Sequence, residues 1–351
     1  MYRYAILLAL FSAILFGAAA PASKVLLSDL TPFQLAGLLY LGAAMAVAPF
    51  AFTGGFSPAA LIKDKTNTLR LLGAIVFGGM FGPIFLLLAL ERVEAGSVAL
   101  WLNLELAMTA VLGVLFFRDH LSYKAWSGVL AAVLAAALLS WSQGVAGIAA
   151  GLLVLMACVF WGLDNHLTAL IDGISPSQST FFKGLIAGLV NLAIGIHLRP
   201  LDTDASAILM ALLVGALAYG LSKVLYIRAA QGMGATRAQV FFSSAPFFGL
   251  LFAIVFLDEA FMAIYWLAGL LFVVAIVLLM LDSHVHAHRH SAQRHAHWHR
   301  HDDGHHNHIH RGLPLSYRHS HAHEHEPIEH SHTHLPDLHH RHSHDETKGE
   351  H

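Results

Sequence analysis

The sequence predicts an all-α integral membrane protein: ten transmembrane helices arranged as two inverted five-helix repeats, followed by a disordered His-rich C-terminal tail. Three observations carry this expectation. Of 351 residues, 56% are hydrophobic and 12% charged, about half the charge of a soluble domain. The apolar residues fall into runs long enough to cross a bilayer. The charges are also divided unevenly: residues 1–282 hold 13 Lys/Arg, 13 Asp/Glu and 3 His, whereas residues 283–351 hold 24 of the 27 histidines. A soluble globular enzyme is excluded, and the single Cys158 leaves no intrachain disulfide to staple the fold.

A helical span takes roughly 20 mostly apolar residues. Ten runs meet this requirement: 4–26, 33–53, 71–90, 94–117, 124–141, 147–170, 178–197, 206–228, 236–256 and 261–281. The first ends in Ala18-Ala19-Ala20, a small-residue site like that of a cleaved signal peptide, but nine further spans follow, so it reads as a retained helix. Short-loop charges orient the chain. With the N-terminus inside, the inner segments receive Arg3, Lys63, Lys65, Arg70, Arg118, Lys124, Arg228 and Arg237, and the outer ones only Lys24, Arg92 and Arg199. Both termini are therefore expected to be cytoplasmic, in the cell inner (plasma) membrane.

The chain also repeats itself. Phe16-Gly17 has a counterpart 145 residues on in Trp161-Gly162, and Thr31-Pro32-Phe33-Gln34 has one 144 residues on in Ser175-Pro176-Ser177-Gln178. Gly82 and Gly96 are 14 apart, as are Gly220 and Gly234. Residues 1–142 and 143–282 then form five-span halves, and an odd number of spans inserts the second half upside down. Inverted repeats of this kind hold a substrate near the midplane between them in secondary transporters.

These residues resemble the EamA-type permeases of the drug/metabolite transporter superfamily. The resemblance covers about residues 5–281. It rests on Phe16-Gly17 with Lys24; Ala95-Gly96-Ser97; Phe117-Arg118-Asp119-His120-Leu121 with Gly128; Trp161-Gly162; Ser244-Ala245-Pro246; and Leu257-Asp258-Glu259 with Gly269. Two departures stand out: Asn103-Leu104-Glu105 replaces the family's mid-span proline, and Asp119 its usual glutamate. The resemblance implies a permease for small organic solutes, often an exporter, without an ATP-binding part. No GxxxxGK[ST] phosphate loop argues otherwise.

An ionisable group deep in a span is a functional candidate because it is costly to insert. Glu105, eleven residues into its span, is the deepest, and is read either as a cation contact or proton carrier on the translocation path or as a carboxyl hydrogen-bonded to a neighbouring helix. Asn103 stands beside it. Trp101, one turn earlier, is placed to stack on a substrate or to pack. Asp164 shares a face with Trp161, whereas His166 points about 200° away around a helix, so this pair alone makes no mononuclear metal site. Asn165 shares a third face with Cys158. Lys24, Lys183 and Lys223 lie within about six residues of span ends and are read as snorkelling; Lys24, which matches the family's first-span lysine, is also placed to meet a substrate carboxylate, Glu105 or Asp164. Pro21, Pro83 and Pro246 are candidate helix interruptions that free backbone groups to face a cavity.

From residue 283 on, histidine recurs at every second position: His284, His286, His288 and His290; His295, His297, His299 and His301; His319, His321, His323 and His325; His330, His332 and His334; His340, His342 and His344. Such composition builds no packed core, and disorder is expected. Alternate residues lie on one side of an extended chain, so neutral imidazoles there could share a Ni, Co, Zn or Cu ion. No CxxC or HExxH implies a rigid zinc site or a metalloprotease.

The functional reading is a secondary transporter with a midplane site near Glu105, requiring no cofactor. An exported organic solute is the first expectation, a divalent metal such as Ni, Co or Zn the second, and a membrane-anchored metal sensor or store the third. No nucleophile and base share a motif, so an enzyme is not expected. The partners are the bilayer and a small-molecule or metal-ion substrate; a homodimer stays open. Scattered basic residues and a formal net charge of −2 argue against nucleic acid.

Overall fold

The computed structural model describes residues 2–52, 64–117, 121–171, 174–233 and 235–280, together with four segments of the tail. The helices are α1 (Tyr2–Gly17), α2 (Ala19–Leu26), α3 (Pro32–Ala51), α4 (Lys65–Ala74), α5 (Gly82–Leu90), α6 (Ala95–Trp101), α7 (Leu104–Phe117), α8 (Tyr123–Ser142), α9 (Gly144–Ala169), α10 (Pro176–Leu198), α11 (Ala205–Val214), α12 (Ser222–Met233), α13 (Ala235–Phe242), α14 (Ala245–Leu257) and α15 (Ile264–Met280). Wide π-helical turns join α4 to α5 (Ile75–Phe81) and α11 to α12 (Gly215–Leu221).

Among the described residues, eight helical stretches are long and apolar enough to cross a membrane, and two shorter apolar helices, Ala245–Leu257 and Ile264–Met280, follow. The ninth expected span is short because it divides. Ser243 and Ser244 turn back onto Gln239 and Phe241 through their hydroxyls, and Pro246, within the first turn of α14, has no N–H to continue a helix through the junction. The fourth span divides at the corresponding place without a proline. There Asn103 Nδ2 donates to Leu100 O at 2.9 Å, an asparagine competing with the helical ladder.

The two Pro-containing motifs that repeat in the sequence are both capping boxes. Thr31 and Gln34 reciprocate at the head of α3, and Ser175 and Gln178 at the head of α10. These helices cross closely because glycines line the seam: a Cβ on Gly184 would stand 2.8 Å from Tyr40 O, and one on Gly37 would collide with Leu192. Between α8 and α9 the chain turns at Gly144, whose φ of +67° lies in the left-handed region.

Phe16-Gly17 and Trp161-Gly162 also have a steric reason. A Cβ on Gly17 would stand 2.5 Å from Ala245 O at the start of α14, and one on Gly162 would stand 2.8 Å from Leu112 Cδ1 on α7. Gly269 has only an ordinary contact at 3.7 Å. Gly17→Ala is therefore expected to destabilise by about 1–3 kcal/mol through overpacking against backbone. Gly269→Ala is expected to be neutral or slightly stabilising, because a helix interior favours alanine. Thermal melting of the two variants in detergent checks the contrast.

Four segments of the tail are extended. β1 (His284–Arg289) pairs antiparallel with β4 (Glu329–His334), and β2 (Gln293–His299) with β3 (His319–His325). A period of two is the period of a strand, and pairing satisfies its backbone groups. The register sets His284, His286 and His288 opposite His334, His332 and His330, and His295, His297 and His299 opposite His323, His321 and His319. His290, His301, His340, His342 and His344 lie outside the described residues, as does Asp119.

Candidate functional site

The two broken spans and the second π turn border a cavity of two lobes that share five lining residues. Its smaller lobe, about 120 Å³, is lined by Tyr40, Trp161, Asp164, Lys183 and Tyr219. Its larger lobe, about 350 Å³, is lined by Asn103, Thr109, Tyr226, Gln239, Ser243 and Pro246. Phe16, Glu105, Asn165, Lys223 and Phe242 line both and mark the junction.

Backbone groups released by the π turn are recovered by side chains. Gly78 O accepts from Tyr40 Oη at 2.5 Å and from Trp161 Nε1 at 3.1 Å, and Gly79 O accepts from Asn191 Nδ2 at 3.1 Å. This fixes Tyr40 and Trp161 against the smaller lobe. Asp164 Oδ2 receives Lys183 Nζ at 2.5 Å and Oδ1 receives Thr168 Oγ1 at 2.9 Å, with the paired side chains only 8% and 14% exposed. Glu105 Oε1 accepts from Asn165 Nδ2 at 3.0 Å, and the same nitrogen lies 3.3 Å from Thr109 Oγ1.

The sequence candidates thus separate. Glu105, Asn103, Trp161 and Asp164 reach the cavity, while α9 runs unbroken and sends His166 to the Thr109 carbonyl at 2.8 Å, which places its proton on Nε2. Trp101 is fully buried, and its Nε1 donates to Ala136 O at 3.2 Å; it packs, and is not placed to stack on a substrate. Lys24 meets neither Glu105 nor Asp164. Its Nζ bonds Leu90 O at 2.5 Å and Val93 O at 3.0 Å, a cation at the end of α5.

The expectation that Lys183 and Lys223 snorkel is corrected: Lys183 turns inward to Asp164, and Lys223 lines the cavity. Depth along a span is one coordinate, and the face of the helix, which decides the matter, is the other. Asn165, read in the sequence only as a neighbour of Cys158, is the partner of Glu105. Among the described residues no three His, Cys, Asp or Glu stand where they could hold a metal ion.

The far face is closed by another set of contacts. Asp258, with φ +53°, ends α14 in the left-handed conformation. The turn delivers Glu259 to the head of α6, where its carboxylate accepts from Ala95 N at 2.6 Å and Gly96 N at 2.8 Å. Tyr265 Oη donates to Glu94 Oε2 at 3.1 Å and lies 3.0 Å from Ser97 Oγ, which accepts from Gln143 Nε2 at 2.5 Å.

A cavity that sets Glu105, Asp164, Lys183 and Lys223 among apolar spanning helices, two of them interrupted, fits a multi-pass membrane transporter. The chain belongs to the EamA-like transporter family, which matches twice, at residues 3–141 and 148–281. It is similar to an uncharacterized transporter of Methanothermobacter thermautotrophicus, 26% identical over 76% of this chain and 83% of that protein. It is also similar to the uncharacterized inner membrane transporter YicL of Salmonella typhimurium, 23% identical over 81% of this chain and 98% of that protein. One solved crystal structure shares the fold at a TM-score of 0.55 and 16% identity, over 79% of this chain and 96% of that chain.

Proposed function

We propose that this chain is an inner-membrane permease that exports a small organic solute by alternating access between two inverted five-helix repeats, with both termini cytoplasmic. The observation that carries this reading is the cavity at the junction of the two broken spans, with Glu105 and Lys223 where its lobes meet. Support for the repeat comes from equivalent features at near-constant offsets: the π turns start at Ile75 and Gly215, the capping boxes at Thr31 and Ser175, and the close glycines are Gly17 and Gly162. With the N-terminus inside, the lobes reach Thr180 and Gln239 at the cytoplasmic ends of α10 and α13, where an exporter loads.

Charge favours an organic solute over a divalent metal. Glu105 and Asp164 share the cavity with two ammonium groups, Lys183 and Lys223, and like charge at such range opposes a dication. We assign metal instead to the tail, whose alternating histidines lie on one side of an extended chain and suit Ni, Co, Zn or Cu.

Membrane vesicles carrying the full chain, a chain stopped after Asp282, or Glu105→Gln test both parts. Glu105→Gln is expected to lower organic solute flux by about tenfold or more, the scale of one lost charged hydrogen bond. The truncated chain is expected to keep solute flux and to lose the retained metal. Metal flux through the truncated chain that Glu105→Gln abolishes would reverse the assignment.

A further inference from the structure

We propose that Lys223 is the receptor for the substrate's anionic group, and that the solute is a small monocarboxylate with an apolar body; this rests on the permease reading above. Lys223 sits in the spanning stretch Ala205–Ala229, yet its side chain is exposed because it faces the cavity rather than a bilayer surface. It makes no ion pair or hydrogen bond among the described residues. The other cavity lysine, Lys183, has its counter-charge at 2.5 Å in Asp164. A cation set on a cavity wall within a spanning segment, with no direct bond of its own, marks a place where a ligand can arrive.

The position is held deliberately. Lys223 follows the π turn Gly215–Leu221 by two residues, and the adjacent Ser222 is locked to α1 by hydroxyl contacts with Ser12 at 2.7–3.1 Å. A π turn inside a helix is commonly a functional feature; here Tyr219 within it and Lys223, four residues on, both line the cavity.

The surroundings define the ligand. A single ammonium is a compact point charge without the fork that matches phosphate, and Glu105 and Asp164 nearby oppose a second negative charge. A monoanion therefore fits and a dianion does not. Phe16, Tyr219 and Phe242 beside Lys223 offer ring faces to an apolar body.

The full chain in detergent is titrated with three probes of one shape: 3-phenylpropionate, 3-phenylpropanol and phenethylamine. Wild type is expected to bind the carboxylate tightest. Lys223→Met is expected to weaken the carboxylate by about tenfold to a hundredfold, the range for a lost charge-assisted bond, and to leave the alcohol nearly unchanged; Lys223→Arg is expected to recover part of the loss. Equal carboxylate affinity in wild type and Lys223→Met overturns the assignment, as does wild type preferring the amine or binding no carboxylate. Correct folding of Lys223→Met is read from its retained alcohol binding and melting temperature. The permease reading fails separately, if vesicles carrying the wild-type chain pass no organic solute beyond empty vesicles.

Discussion

Neutralising one partner of the Asp164–Lys183 pair is expected to destabilise the protein by about 3–5 kcal/mol, and neutralising both is expected to restore most of that loss. The two groups are nearly withdrawn from solvent and lie 2.5 Å apart. Asp164→Asn leaves an ammonium among α3, α9 and α10 with no counter-charge, and Lys183→Met leaves a carboxylate with only the Thr168 hydroxyl. The double variant leaves neither charge. The space is tight on the remaining side, because a Cβ on Gly78 would collide with the Asp164 carboxylate, so Asn, of the same shape, isolates charge from volume. Denaturation in mixed micelles of the single and double variants measures the coupling. Additive losses would mean that the pair contributes no mutual stabilisation. Because the pair ends the smaller lobe, the restored double variant also separates stability from transport: a stable protein with reduced solute flux makes the pair part of the site.

Much of this architecture is legible because it follows from local chemistry. Thr31-Pro32-Phe33-Gln34 and Ser175-Pro176-Ser177-Gln178 specify helix starts by residue type alone, and both form as capping boxes. Phe16-Gly17 and Trp161-Gly162 read as repeats and prove to be close crossings. The site was less legible, since it depends on which helix faces which. Glu105 stands out by depth, but its partner Asn165 and the cavity residues Tyr40, Tyr219, Lys183 and Lys223 are ordinary residues in a one-dimensional reading. One signal could have found Lys223: a lysine on a Gly-rich stretch, Gly215 to Gly220, in the span matching Gly78-Gly79. Trp101 shows the opposite error. One turn from Glu105 on the same face of an ideal helix, it is turned away by the break at Leu102 and Asn103 and packs against α8.

Glu259→Ala is expected to open the face opposite the cavity and to cost about 3 kcal/mol or more in the conformation described here. Its carboxylate makes two bonds to the N–H groups of buried Ala95 and Gly96 at the head of α6, each worth roughly 1.5–3 kcal/mol when the acceptor is charged. These bonds tie the first half of the chain to the second. The neighbouring Tyr265, Glu94, Ser97 and Gln143 contacts lie on the same face, so one substitution weakens a whole seam. On the alternating-access reading proposed above, that seam separates when the cavity changes sides, and Asp258, in the left-handed conformation, aims Glu259 across it. The measurement uses Leu106→Cys, in the larger lobe, on a Cys158→Ala background, labelled with a membrane-impermeant maleimide from each side in turn. In the chain retaining Glu259, labelling is expected chiefly from the face of Thr180 and Gln239. With Glu259→Ala, labelling from the opposite face should rise severalfold while solute exchange loses its sidedness. An unchanged labelling ratio would assign Glu259 to helix capping alone and place the moving contact elsewhere in the seam.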